Sequence, residues 1–130
     1  MLSLFAASCG SSNSAATTPS APVAAAGTDP VTGQMAPGGL LIHQFYASAT
    51  GTVSVTLTAT DPPATLVGLG IGIPGANAGT CDMTKTLQAR PGAAPQLTAT
   101  VETGPYCAGT FDVGGLSTRG VLVTYSVAHP

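Results

Sequence analysis

From Val53 to Thr60 the chain reads valine, serine, valine, threonine, leucine, threonine, alanine, threonine. A period of two sends alternate side chains to opposite faces of a pleated strand, whereas a helix would repeat its apolar positions at three and four. Val53, Val55, Leu57 and Ala59 are therefore expected on a core face, with Ser54, Thr56 and Thr58 on the other. Gly51 precedes the run, and Asp61-Pro62-Pro63 ends it, because proline cannot donate to a continuing ladder.

The same period returns along the chain. Val67, Leu69, Ile71 and Ile73 alternate with Gly68, Gly70 and Gly72. Leu97, Ala99 and Val101 form a further set, Gly104-Pro105 makes a turn into a strand from Tyr106 to Val113, and Val121, Val123, Tyr125 and Val127 form the last. Leu40 to Tyr46 is read as the opening strand. Short strands separated by turn signals, with no amphipathic helix, predict an all-β antiparallel sandwich of about seven or eight strands.

Three segments are distinguished. Residues 1–9 hold Leu2, Leu4, Phe5, Ala6 and Ala7 ahead of Cys9-Gly10 and resemble the end of a bacterial lipoprotein signal peptide. The resemblance implies diacylglycerol on the Cys9 sulfur; the alternative is an ordinary secretory leader in which Cys9 is incidental. Residues 10–39, rich in Ser, Ala, Thr and Pro, show no sustained period and are expected to form a disordered tether with a reach of roughly 30 Å. Residues 40–130 are assigned to the sandwich.

Charged residues make up 6% of the chain and the net charge is −2, so no basic patch exists to neutralise phosphates, and nucleic acid is not an expected partner. The expected contacts are a membrane, through the lipid on Cys9, and an extracellular protein or polysaccharide. The location is exported, at the cell surface or in the periplasm.

Of the three cysteines, Cys81 and Cys107 are read as a disulfide closing about 26 residues, which would contribute roughly 3–4 kcal/mol and leave Cys9 for lipid. The alternatives are two free thiols or a metal site. Zinc would require four ligands, yet no C-x-x-C occurs and His43 and His129 stand far apart. No metal and no cofactor are expected.

Other chemistry-bearing patterns have plainer readings. Gly70-Ile71-Gly72-Ile73-Pro74-Gly75 fits G-x-G-x-x-G, but no helix follows to receive a pyrophosphate. No G-x-S-x-G occurs, and His43 and His129 read as residues at a strand and a chain end, so no catalytic residue is assigned and the chain is not expected to be an enzyme. The carboxylates Asp29, Asp61, Asp82, Glu102 and Asp112 lie too far apart in sequence for a calcium loop; distant loops could still bring a pair together, with Asp61, Asp82 and Asp112, near predicted strand ends, the first candidates. With three tyrosines, three phenylalanines and no tryptophan, aromatic platforms for sugars are scarce, and Tyr106 and Tyr125 read as core or corner residues. The glycine face of Gly68, Gly70 and Gly72 is the candidate ligand face; the alternative, favoured on plain packing grounds, is that a neighbouring loop lies over it.

Phe45, the run Gly51 to Leu57, Leu69-Gly70-Ile71, Gly104-Pro105-Tyr106 with Phe111, and Tyr125 with Val127 together resemble the bacterial pre-peptidase C-terminal domain, from about Gln44 to Val127. The resemblance implies a jelly-roll-like sandwich that serves secreted hydrolases as a noncatalytic module, assisting secretion or contacting substrate. The strand around Leu69 lacks the acidic residues many members carry. The expected function is a noncatalytic lipoprotein acting as a binding or envelope-interaction module. Its alternatives are a structural envelope protein without a soluble ligand, and an accessory carbohydrate- or protein-binding module of a secreted hydrolase system.

Overall fold

The computed structural model describes residues 26–130. Cys9 and the part of the expected tether from 10 to 25 lie outside them. Eight strands follow one another: β1 Gly27–Met35, β2 Leu40–Ala47, β3 Gly51–Asp61, β4 Val67–Pro74, β5 Cys81–Ala89, β6 Leu97–Val101, β7 Gly104–Phe111 and β8 Val121–His129.

They form two four-stranded antiparallel sheets, ordered β1-β8-β3-β6 and β2-β7-β4-β5. Of the connections, only β4 to β5 stays within its sheet; every other one crosses to the opposite layer. That alternation is the jelly-roll arrangement of two nested Greek keys. It pairs strands distant in sequence, such as β1 with β8, and brings Gly27 opposite His129.

The core lies between the sheets and is built from the alternating sets. Val53, Val55 and Leu57 of β3 and Val121, Val123, Tyr125 and Val127 of β8 meet Val67, Leu69 and Ile71 of β4, all buried. Tyr125 is the largest of the fully buried side chains. Its hydroxyl donates to the Leu41 carbonyl at 3.0 Å, which satisfies a polar group that would otherwise be costly inside. Burial raises the Tyr125 phenol well above its ordinary pKa. Tyr106 is a corner residue: its hydroxyl accepts from the Glu102 amide at 3.1 Å.

Three expectations are corrected. The sandwich begins at β1, inside the segment read as tether. Pro30 and Gly33 made that segment look irregular, and an edge strand tolerates both because only one side of it is paired. In β3 a bulge between Leu57 and Ala59 shifts the register against β8, so Thr60 is turned inward and Ala59 is exposed. In β4 a second irregularity follows Ile71, and Ile73 is 48% exposed rather than in the core.

Gln96 extends the pairing of β3 just ahead of β6. Its side-chain oxygen accepts from the Leu57 amide at 2.8 Å, and its Nε2 donates to the Leu57 carbonyl at 3.0 Å. One side chain thus replaces a strand partner at the bulge.

Candidate functional site

The glycine face is closed. Gly68, Gly70 and Gly72 alternate with the inward Val67, Leu69 and Ile71 and so point away from the core, yet all three are buried. A β-carbon on Gly68 would come within 2.3 Å of the Phe111 ring, on Gly70 within 1.9 Å of the Met83 sulfur, and on Gly72 within 2.0 Å of the Asp82 carbonyl oxygen. Side chains and backbone of the flanking strands β7 and β5 fill the trough, with no loop involved. The face offered as a ligand surface is instead packing.

Beside Gly72, which registers with Cys107, a disulfide joins Cys81 of β5 to Cys107 of β7, with Cα atoms 5.9 Å apart. It locks the strands on either side of β4 to each other.

The carboxylates named as convergent candidates do not converge. Asp82 lies on β5 in the second sheet and Asp61 at the end of β3 in the first. Asp112 ties the turn after β7 to the β1–β2 turn, accepting from the Gly114 and Gly38 amides at 2.7 Å each. Those hydrogen bonds, Gly38 first, lower its pKa.

A polar cluster that the sequence reading did not assemble sits where the two sheets meet along β1 and β2. Asp29, His43 and His129 all occupy inward positions of their strands. Asp29 Oδ2 is 3.0 Å from His43 Nε2 and 2.9 Å from His129 Nε2. His129, read as a chain-end surface residue, is 8% exposed and stacks on Phe45, ring centroids 5.0 Å apart.

For both imidazoles to donate to one carboxylate oxygen, each must carry its proton on Nε2. His129 Nδ1 lies 3.4 Å from the Pro130 carbonyl and donates to it only when the ring holds a second proton. The hydrogen bond from His43 is the main cause of a lowered Asp29 pKa; burial opposes it, and the bond from His129 adds to it. Among the described residues, no group of three or more His, Cys, Asp and Glu side chains is arranged to hold a metal ion. The cluster is a clasp between the layers, joining β1 and β8 of the first sheet to β2 of the second.

The outer face of the first sheet faces solvent. Register sets its residues in rows across the strands: Thr28, Ala128, Ser54 and Thr98; then Pro30, Ser126 and Thr56; then Thr32 and Thr124, with Thr58 in the bulge; then Gln34, Leu122 and Asp61. Thr52 and Thr100 form a row beyond the first. These positions are exposed or half-buried, and apart from Asp61 the rows carry no charge.

The last row opens into a cleft of about 300 Å³, lined by Gln34, Asp61, Pro62, Ser117, Arg119, Gly120 and Leu122. Gln34 Nε2 donates to the Arg119 carbonyl at 3.0 Å and so holds the loop before β8 against β1. Gly120, at φ +74°, makes the approach possible, since a β-carbon there would lie 2.2 Å from the Met35 carbonyl oxygen. No family model matches the chain, and no curated protein matches it.

Proposed function

We propose that this chain is a noncatalytic, exported lipoprotein that displays a jelly-roll sandwich as a binding module, anchored through a lipid on Cys9. The observation that carries the reading is the Cys81–Cys107 bridge. Disulfides persist in oxidising compartments, and this one accounts for two of three cysteines, leaving Cys9 at a lipoprotein-type signal.

Two features support the noncatalytic part. The imidazoles of His43 and His129 turn their Nε2 atoms to Asp29, not to a hydroxyl or thiol nucleophile. The likeness in residue order to the pre-peptidase C-terminal domain points the same way, toward a module that contacts a partner while another protein does chemistry.

Expression of the full chain in a bacterial host with labelled palmitate tests the reading. The expected result is label in the membrane fraction, lost in Cys9→Ser, with both remaining cysteines resistant to alkylation until reduced. Unlabelled cytosolic protein with reactive Cys81 and Cys107 would overturn it.

A further inference from the structure

The cleft at the end of the first sheet brings a carboxylate, a guanidinium-bearing residue, an amide and an apolar side chain into one lining. A sugar ring presents apolar C–H faces rimmed by hydroxyls, each both donor and acceptor. It is held by planar polar groups that can make paired hydrogen bonds, together with a patch of apolar surface. Asp61 supplies a carboxylate that only accepts, Arg119 a guanidinium that only donates, and Gln34 an amide oxygen left over once its Nε2 has gone to the Arg119 carbonyl. Leu122, 40% exposed, lies between Gln34 and Asp61 in the same row and supplies the apolar floor.

The charges select among ligands. The ion pairs found among the described residues are those of Asp29 with the two histidines, so Asp61 and Arg119 are not consumed by one. One carboxylate and one guanidinium in the lining leave the cleft without net charge, so a phosphate, sulfate or uronate finds no surplus counter-charge. The volume of about 300 Å³ is at the small end of ligand sites, fitting a ring or two of a longer chain rather than a bulky cofactor.

What lies beyond the cleft extends the match. A polymer leaving it over the face meets hydroxyls spaced about 4.8 Å between strands and about 6.8 Å along them, each able to donate or accept directly or through water. We therefore infer that the outer face of the first sheet binds a neutral polysaccharide, one unit seated among Gln34, Asp61, Arg119 and Leu122 and its neighbours lying along the threonine rows. Exposed aromatic platforms are replaced by Leu122 and by many weak hydroxyl contacts, which favours long chains over short ones.

This inference rests on the domain being a displayed binding module, and the two are tested by different readouts. Electrophoresis of the full chain through native gels containing hydroxyethyl cellulose, dextran, soluble starch, galactomannan or polygalacturonate measures retardation directly. At least one neutral polymer is expected to retard the protein equally at low and high salt. Arg119→Ala and Asp61→Asn should each weaken that retardation about tenfold, and Thr32→Val about twofold, with melting temperatures unchanged.

Three results overturn the inference: no retardation by any neutral polymer, retardation by polygalacturonate alone that salt abolishes, or retardation indifferent to both cleft variants. If Arg119→Ala or Asp61→Asn melts early, Leu122→Asn replaces it, and unchanged retardation in that variant counts against the site. Palmitate labelling of Cys9 in the same preparation reports on export separately. A labelled protein that no neutral polymer retards loses only the sugar assignment.

Discussion

The two outer faces of this sandwich solve opposite problems with the same geometry. On the first sheet the outward positions carry mostly threonine and serine, exposed or half-buried, with no layer packed over them. On the second, outward glycines of β4 form a trough into which Phe111 and Met83 fold back, and a disulfide ties its margins. One face is spare surface and the other is nearly a second core. Position relative to the sheet therefore does not foretell tolerance to change; what lies over a residue does.

Removing the staple should give the largest effect. Cys81→Ser with Cys107→Ser should lower the free energy of unfolding by roughly 3 kcal/mol in urea titration, and loss of less than about 1 kcal/mol would show that Phe111 and Met83 hold the second face unaided. Next, Gly72→Ala should cost about 2–3 kcal/mol, because the new methyl meets the Asp82 backbone rather than the end of a flexible side chain. A neutral result there would erase the contrast between the faces.

Smaller again is the clasp at the seam between them. The Asp29 carboxyl titrates below its ordinary value of 3.8 in the folded protein. Its contribution is thus fully present above that value and is lost as pH falls through the lowered one. Asp29→Asn should cost about 1 kcal/mol at neutral pH, discounted for its partial exposure, and the gap to the native protein should close in acid below the ordinary aspartate range. A gap that widens in acid would reverse the assignment. Last, Thr56→Val on the hydroxyl face should stay within about 0.5 kcal/mol, and a larger loss would mean that the rows serve stability.

The interior strands were legible because both requirements on them coincide: their inward residues must be apolar and their paired backbones must lack proline. Two of the four edge strands, β1 and β5, satisfy only the first, and weakly. Pro30 disguised β1, and in β5 only Met83 and Leu87 interrupt a polar run that includes Lys85, Thr84 and Gln88. The bulge in β3 was invisible for another reason. Thr58, Ala59 and Thr60 are small enough for either parity, and only pairing with β8 decides which one turns inward.

The clasp carried a signal that alternation itself contained. His129 continues the inward series Val121, Val123, Tyr125 and Val127, and His43 stands between Leu41 and Phe45 on the inward side of β2. A polar residue at an inward parity needs a buried partner. Identifying that partner as Asp29 required knowing that β1 is a strand beside β8. The cleft was less accessible still, since Gln34, Asp61 and Arg119 become neighbours only through the jelly-roll crossing.

The Gly27–His129 rung has a mechanical corollary. Tension drawn along the residues preceding Gly27 enters at the last rung of the β1–β8 ladder and opens its hydrogen bonds one after another, the geometry of a zip, not of a shear. Two residues in, the front would reach Asp29, where two imidazoles from different strands grip one carboxylate. A clasp between the layers is therefore the first side-chain cluster that the opening front meets.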